Sequence, residues 1–357
     1  MKVPEFANRK VLVVGGAGFV GSNLVRTLLE STPHEVLVVD NLLSSERENL
    51  PEHPAVTFVE GSITDDRLLS ELPGDLDYVF HLSTYHGNQS SMVDPLADHE
   101  NNTLTTLKLY EAIKDLDLDR VVYASAGCTV AEKTFDGAEA TSEDAPVSLH
   151  LDSPYQISKI VGEYYSNYYF ARHGLPATKA RFQNVYGPGE VLGAGRWRGT
   201  VNTVWRNVTP TFIYKALKHE ALPVENGGIA TRDLIFVDDM VQGLIACATR
   251  GRAGEVYNLA SGVETSILEL AELINELTGN PTPIALKPAR NWDHSGQRYG
   301  STDKAHSELG FTAAVGLREG LERTIAWTRE NLDWIERCIA KHGERIAELE
   351  RMPQEVA

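Results

Sequence analysis

The most constraining feature of the sequence is a glycine-rich turn near its N-terminus. The apolar run Val11 to Val14 is typical of a buried strand, and the letters GGAGFVGSN that follow it place glycines at positions 15, 18 and 21. A helical pattern begins directly after the turn. Gly15 permits a tight turn, Gly18 lets a ligand approach the backbone, and Gly21 lets the helix pack closely on the strand. The order of strand, glycine turn and helix therefore predicts a site for a pyrophosphate at the start of the helix.

An acidic residue indicates which dinucleotide this turn would hold. Asp40 ends the second strand-like run, about 20 positions after the glycine turn. A carboxylate at this place accepts hydrogen bonds from the ribose hydroxyls and repels the additional phosphate of NADP. NAD is therefore the predicted cofactor, with NADP left open because Arg47 lies nearby.

Apolar runs alternate with helix-length amphipathic segments through the first half of the chain. The runs are Val11 to Val14, Val36 to Val39, Thr57 to Glu60, Tyr78 to Leu82 and Val121 to Ser125. Such alternation is typical of an α/β fold with a doubly wound parallel sheet. We predict a Rossmann-like domain in residues 1–185 and a smaller, mainly substrate-binding C-terminal lobe in residues 186–357, with some later segments returning to the sheet. A charged amphipathic helix from about Leu317 to Arg351 would pack on this lobe or on a partner subunit.

Charge and composition exclude several classes of partner. The formal net charge of the 357-residue chain is −17, whereas nucleic-acid binding depends on Lys and Arg neutralising phosphates. Cys128, Cys247 and Cys338 are widely separated and show neither a disulfide framework nor metal-type spacing. No apolar run has the length of a membrane span or the pattern of a signal peptide. We therefore expect a cytoplasmic protein without nucleic-acid, membrane or metal partners.

A tyrosine and a lysine supply a candidate reactive pair. Tyr155 and Lys159 stand four residues apart in SPYQISKIVGEYY, a spacing that places both side chains on one face of a helix. A tyrosine can act as a base near neutral pH only if nearby positive charge stabilises its phenolate. The lysine ammonium and a positively charged nicotinamide would both do this. Next to a dinucleotide turn, the pair predicts reversible oxidation of a substrate hydroxyl.

The glycine turn and this pair together resemble the extended short-chain dehydrogenase/reductase family, whose nucleotide-sugar epimerases and dehydratases carry both. The similarity runs from Val11 to about Trp327 and includes NVYGPG at 184–189 and TRDLIFVDD at 231–239. The resemblance implies a nucleotide-sugar substrate and a homodimer that pairs the Tyr155 helix with a segment at about Leu96 to Lys114. It implies further cofactor contacts at Phe19, Val20, Asn41, Ser62, Ile63, Leu82 and Asn102. It implies substrate contacts at His86, Asn184, Arg196, Arg198, Arg232 and Arg298.

The sequence departs from the family pattern at the end of the fifth strand. Ala126 stands where most relatives carry an active-site serine or threonine, so Ser125 or a water would replace that hydroxyl, or Tyr155 would act alone. Cys128 stands where the family's dehydratases carry a glutamate and its GDP-mannose 3,5-epimerases a cysteine. Once carbon 4 of the sugar is a ketone, the proton on carbon 5 is acidic, and a thiol activated by a nearby cation could remove it.

Two further segments bear on the choice of substrate. Arg196 and Arg198 in GAGRWRGT resemble the basic pair of the 3,5-epimerases, although an arginine donates protons poorly and at position 198 would instead bind a substrate carboxylate. His86 in STYHGN is a second candidate for proton transfer. The SAGC strand end and the arginine loop resemble epimerases encoded in bacterial O-antigen clusters, which make lipopolysaccharide sugars and act on uronic-acid derivatives of UDP-amino sugars.

Three functions remain open at this point. The first is an NAD-dependent UDP-sugar epimerase that oxidises carbon 4 and inverts carbon 5, with or without carbon 3, using Cys128 as the base. The second is a simple 4-epimerase that does not need Cys128, with a decarboxylase or dehydratase as variants. The third is a non-catalytic NAD-binding regulator, which the presence of both Tyr155 and Lys159 disfavours.

Overall fold

The computed structural model of the chain describes residues 4–85, 87–127, 137–151, 153–289 and 296–351. Two predicted site residues, His86 and Cys128, lie outside these ranges. The strands are β1 (Lys10–Val14), β2 (Glu35–Asp40), β3 (Val56–Glu60), β4 (Tyr78–His81), β5 (Arg120–Ala126), β6 (Ala140–Thr141), β7 (Ala177–Phe182), β8 (Asn184–Tyr186), β9 (Pro223–Glu225), β10 (Thr231–Phe236), β11 (Val256–Leu259), β12 (Glu264–Ser266), β13 (Ala285–Lys287) and β14 (Tyr299–Gly300). The α-helices are α1 (Phe19–Leu29), α2 (Asp66–Ser70), α3 (Asn88–Val93), α4 (Pro95–Asp98), α5 (Thr105–Ile113), α6 (Pro154–His173), α7 (Val208–Leu217), α8 (Val237–Thr249), α9 (Ile267–Thr278), α10 (Asp303–Leu309), α11 (Leu317–Glu330), α12 (Leu332–Ala340) and α13 (Gly343–Arg351).

The main sheet contains seven parallel strands in the order β11-β7-β5-β4-β1-β2-β3. The chain runs outward from β1 to β3 and then returns to place β4 on the other side of β1. The direction of strand addition therefore reverses between β1 and β4. In such sheets, ligands bind beyond the carboxyl ends of the strands at this point. The predicted Rossmann-like, doubly wound parallel sheet is confirmed.

The strands of this sheet are continuously apolar because both of its faces are covered. Val11 and Val13 of β1 enter one hydrophobic core, while Leu12 and Val14 enter the core on the opposite face. All four side chains are at most 2% exposed. Packing on both faces thus fixes β1 in place. The glycine turn follows directly after the buried carboxyl end of this strand.

The C-terminal lobe is built on a smaller three-stranded sheet in the order β12-β10-β8. Strand β8 runs parallel to β10, and β12 runs antiparallel to it. Its core includes Tyr186, Phe212, Phe236 and Leu270. Strand β11 returns to the edge of the main sheet beside β7, so the lobe grows out of the main domain rather than following it. The boundary between residues 185 and 186 stays a prediction.

The last two helices pack on a loop of the C-terminal lobe. Ile335 and Cys338 of α12 form an apolar cluster with Val191 and Leu192. Beyond α12, the Nε2 atom of His342 lies 3.1 Å from the carbonyl oxygens of both Gly193 and Gly195. The chain end therefore covers and fixes the loop that follows β8. Within the described ranges, we find no helix with the length and apolarity needed to cross a bilayer.

Candidate active site

A cavity of about 770 Å³ lies between the carboxyl ends of the main strands and the C-terminal lobe. Val14 and Ala126 line it from the ends of β1 and β5, and Asn184 and Arg232 line it from the lobe. Its volume falls within the range usual for small-molecule sites. The cavity is thus placed where the sheet topology predicts a ligand.

The glycine turn forms one end of this cavity. Gly15 has a φ of +83°, and a Cβ added to it would lie 2.6 Å from the backbone nitrogen of Ser83. A Cβ on Gly21 would lie 2.3 Å from the carbonyl oxygen of Gly15. Gly18 lines the cavity and forms the N-cap of α1, where the first N–H groups have no partner within the helix. The turn therefore offers an anion the positive end of a helix without a side chain in the way.

Asp40 lies beside the glycine turn at the end of β2. Its carboxyl accepts hydrogen bonds from the backbone nitrogens of Ala17 (3.0 Å) and Leu42 (2.9 Å) and from the Ser45 hydroxyl (2.9 Å). Burial raises the pKa of this carboxyl, and the three donors oppose the shift. Asp40 still lines the cavity, where the ribose contact stays a prediction. The predicted cofactor positions that also line the cavity are Phe19, Val20, Asn41, Ser62, Ile63 and Leu82.

Helix α6 brings Tyr155 and Lys159 to the wall of the cavity. The Ser153 hydroxyl caps the helix by accepting a hydrogen bond from the Gln156 amide (3.4 Å), so the first turn presents Tyr155. The Lys159 ammonium donates to the carbonyl oxygen of Ala124 at 3.0 Å and lies 5.8 Å from the centre of the Tyr155 ring. Both side chains line the cavity, as the helical spacing predicts.

The protein alone does not supply a phenolate at this site. Burial, and secondarily Asp98, raises the pKa of Tyr155, while burial lowers the pKa of Lys159 to about 8. A phenol in this setting stays protonated until further positive charge arrives. The residues present fit NAD, because the glycine turn would hold its pyrophosphate and its positively charged nicotinamide would lie towards Tyr155. When bound, NAD would supply both that charge and a hydride acceptor.

The hydroxyl of Ser125 is engaged away from this pair. Its oxygen donates to Oε1 of Glu163 at 2.6 Å, and Glu163 is held by Arg181 through two bonds of 2.9 and 3.0 Å. Ala126, which also lines the cavity, has no hydroxyl to offer. Ser125 itself lines the cavity, so its catalytic role stays a prediction. Its bond to the buried ion pair favours the alternative in which Tyr155 acts without a serine.

Asn102 lies behind the cavity wall. It belongs to a π-helical segment, His99–Leu104, that joins α4 to α5. Its Oδ1 accepts a hydrogen bond from the Tyr85 amide (2.7 Å), and its Nδ2 donates to Asp98 (2.7 Å). It is not among the described residues that line the cavity. The cofactor contact of Asn102 stays a prediction, and the bonds present show that Asn102 holds the segment after β4.

The loop after β8 does not present its first two arginines to the cavity. The Arg196 side chain is 68% exposed and lies 3.9 Å from Glu60, while Arg198 is buried against the ring of Tyr85 at 5.3 Å. Neither belongs to the described residues that line the cavity. The reason is that the Arg196 amide donates to the carbonyl oxygen of Leu43 (2.8 Å), which fixes the loop by its backbone. The substrate contacts expected of this pair stay a prediction, which the lining of the cavity does not support.

Other basic residues line the cavity from the C-terminal lobe and the segments that pack on it. Arg232 and Arg298 were predicted, whereas Arg206 and Lys215 were missed by sequence reasoning. Arg298 is fixed by a bond from its backbone nitrogen to the Thr231 hydroxyl (2.9 Å). In a chain of net charge −17, this concentration of cations indicates an anionic ligand. Arg206 could not be singled out from the sequence, because no periodic pattern distinguishes it from Arg196 and Arg198 in the same loop.

A second helix start also opens into the cavity. Val208 and Thr209 in the first turn of α7 line the cavity, and the third residue of the helix is Pro210, which has no N–H. Asn207, the N-cap residue, makes no side-chain bond to the described amides of that turn. Its Nδ2 instead donates to Oε1 of Glu190. One cavity therefore contains two helix N-termini, α1 from the main domain and α7 from the C-terminal lobe, and can hold two anionic groups.

Comparisons with known proteins agree with this geometry. The model of the NAD dependent epimerase/dehydratase family matches residues 11–260. The enzyme WbmF of Bordetella bronchiseptica, solved in complex with NAD+ and UDP, is 60% identical, covers 97% of this chain and 100% of its own, and superposes with a TM-score of 0.87. The UDP-glucose 4-epimerase of Mycolicibacterium smegmatis is 32% identical over 90% of this chain and 98% of its own length. UDP-glucuronic acid decarboxylase 3 of Arabidopsis thaliana is 30% identical over 88% and 87%.

The family match covers most of the chain and includes both the glycine turn and the Tyr155–Lys159 pair. Relatives that are at least 30% identical align over nearly all of it. The predicted family, the enzymatic nature of the protein and the predicted cofactor are confirmed. The chain belongs to the NAD dependent epimerase/dehydratase family of nucleotide-sugar enzymes.

Proposed function

We propose that the protein is an epimerase of a UDP-sugar that acts through a 4-keto intermediate. The supporting observation is that Tyr155 and Lys159 line the same cavity as the glycine turn and Arg232. The glycine turn and Asp40 would hold NAD at one end, and Arg232 would hold the substrate diphosphate at the other. A sugar joined to that diphosphate would then extend over the pair. The structures of WbmF with NAD+ and UDP support the same two ligands.

The residues around the sugar have separate tasks. Tyr155 would accept the proton of the 4-hydroxyl while the hydride leaves carbon 4, and would return it when the hydride comes back. Lys159, oriented by the carbonyl oxygen of Ala124, would stabilise the phenolate in between. Ser125 would take no part, because its proton is directed to Glu163.

The position of inversion distinguishes two candidate reactions. Inversion at carbon 5, with or without carbon 3, is the prediction from Cys128, and it fits a uronic acid because the carboxylate also acidifies carbon 5. Simple inversion at carbon 4 is favoured by a different observation. Arg196 and Arg198, which would have served a carbon-5 reaction or bound a carboxylate, are not among the described residues that line the cavity.

An isotope experiment separates these reactions. The enzyme would be incubated in deuterated water with UDP-glucose, UDP-N-acetylglucosamine and their uronic acids, and the sugars analysed by NMR. A carbon-5 epimer that carries deuterium at carbon 5 identifies inversion there, whereas a carbon-4 epimer without deuterium identifies the simple reaction. A pentose product would identify a decarboxylase. If none of these sugars is converted and none reduces the bound NAD, the proposed function is wrong.

We also propose that two copies pair through α6. Ile157, Tyr164 and Tyr168 are each roughly half exposed, and their spacing places them along one face of the helix. Exposed apolar side chains in a stripe favour association, and a second copy of the same helix presents a matching stripe. Tyr164→Lys should convert the wild-type dimer to a monomer in sedimentation. A monomeric wild type would contradict the pairing.

A further inference from the structure

Glu190 is a buried acid whose hydrogen bonding is incomplete. It lies in the loop after β8, is 5% exposed and lines the cavity. Oε1 accepts a hydrogen bond from Nδ2 of Asn207, whereas Oε2 receives none from any described residue. Buried polar atoms are seldom left in this state unless a ligand or water completes them. Glu190 therefore has a buried oxygen without a partner among the described residues, in a side chain that lines the cavity.

The position of Glu190 is fixed on both sides. The preceding carbonyl oxygens of Pro188 and Gly189 accept bonds from the side chains of Asn23 (3.0 Å) and Asn49 (3.4 Å). On the other side, Asn207 begins α7 and directs its amide towards Glu190 instead of capping its own helix. The carboxyl thus lies next to the open start of α7, where an anionic diphosphate would bind.

We propose that Glu190 takes up a proton from solvent when the diphosphate of the nucleotide-sugar binds at the start of α7, and that Oε2 then donates a hydrogen bond to a phosphoryl oxygen. This inference rests on the proposed function, because it requires a sugar nucleotide in this end of the cavity. An ionised carboxylate beside a diphosphate would be repelled in a site of low dielectric constant. Protonation removes that repulsion and converts Oε2 into a donor, while Oε1 continues to accept from Asn207.

The surroundings of Glu190 bring the pKa of its carboxyl close to neutral pH. Burial raises the pKa of Glu190 to about 7, against the opposing effects of Asn207 and Arg206. Charged groups on the neighbouring elements have other partners. Nη1 of Arg206 donates to the carbonyl oxygen of Ser44, Glu46 accepts from the Gly195 amide, and Lys215 pairs with Glu220. Arg47, on the loop after β2, lies over the ring of Phe58.

The predicted pH dependence has a definite sign. If the diphosphate raises the pKa of Glu190 above its free value of about 7, binding takes up a proton between the two pKa values. Affinity should therefore be constant well below pH 7 and fall by about tenfold per pH unit above it. UDP-glucose is the suitable probe, because both ends of its diphosphate are esterified and it does not itself titrate in this range.

The experiment is calorimetric titration of UDP-glucose into NAD-loaded enzyme, in a Tyr155→Phe background that prevents turnover. Buffers of different ionisation enthalpy would be compared at several pH values from roughly 6.5 to 8.5. We expect uptake of nearly one proton at pH 8. Glu190→Gln keeps an acceptor for Asn207 and adds an N–H donor, so its uptake should vanish and its affinity at pH 8.5 should equal that at pH 6.5.

A control and three outcomes complete the test. Glu276→Gln changes an exposed acid that pairs with Arg318, and it should retain the pH dependence of the parent. If neither UDP-glucose nor UDP binds at any pH, the proposed function itself is wrong. Binding without proton uptake, or with equal uptake in Glu190→Gln, would overturn the inference alone. Equal uptake on titrating NAD into the cofactor-free enzyme would also overturn it, because the coupling would then belong to the α1 end.

Discussion

The two ends of the cavity are built in different ways. The cofactor end is made mainly of backbone from one continuous segment, in which Gly15, Gly18 and Gly21 shape the turn and Asp40 follows at the next strand end. The substrate end is made of side chains from separate segments, namely Asn184, Arg206, Arg232 and Arg298. A short motif can encode the first kind of site. The second exists only after distant parts of the chain have packed together, so substrate choice can change without altering the cofactor end.

The largest expected effect concerns Tyr155 and Lys159. This pair should be needed for the chemical step but not for binding NAD or the UDP-sugar. Tyr155→Phe removes the proton acceptor and should lower kcat by about 10³-fold, as is usual for loss of a general base. The affinities for NAD and UDP should change by less than about twofold, because the ring remains in place. Titrations and turnover with the accepted sugar would measure both. Substantial turnover by this variant would refute the mechanism.

The next effect tests whether the cofactor end depends on backbone shape. Gly15→Ala forces a Cβ to 2.6 Å from a backbone atom at a φ of +83°, so the free energy of unfolding should fall by about 2 kcal/mol or more and NAD binding should be lost. Gly18→Ala is the matched variant, since its Cβ meets only the carbonyl oxygen of Gly15 at 3.2 Å. It should fold normally but bind NAD more weakly. Equal unfolding temperatures for the two variants would contradict this distinction.

A smaller effect tests whether the substrate end depends on individual side chains. Arg232→Ala should weaken UDP binding about tenfold, because a charge-assisted contact to the diphosphate is lost, while NAD binding stays unchanged. Arg196→Ala serves as the comparison, since that side chain is exposed beside Glu60. It should alter UDP affinity by less than about twofold. A tenfold loss in Arg196→Ala would mean that the loop reaches the ligand after all.

These differences explain how much could be predicted from the sequence. The strand runs, the glycine turn and Asp40 could be identified because each depends on residues close together in the chain. Tyr155 and Lys159 were identifiable for the same reason, since one helix carries both.

The orientation of the arginine loop could not be predicted from the sequence because it depends on distant contacts. Leu43, the residues around His342 and the cluster on α12 hold the loop so that Arg196 faces outward and Arg206 inward. Glu190 was missed for a related reason, because its burial and its bond from Asn207 arise only in the folded lobe. A pattern of residue types does not contain this information.

The helices at the end of the chain help to hold the main domain and the C-terminal lobe together beside the cavity. Glu46 follows the cofactor-side strand β2, and it is bound both by the amide of Gly195 in the lobe loop and by Lys341 after α12. A chain cut before α12 would lose this three-way tie and would turn the apolar side chains of Val191 and Leu192 towards water. The family match ends at residue 260, so Lys341 and α12, which complete this tie, lie beyond the segment that the shared family pattern describes.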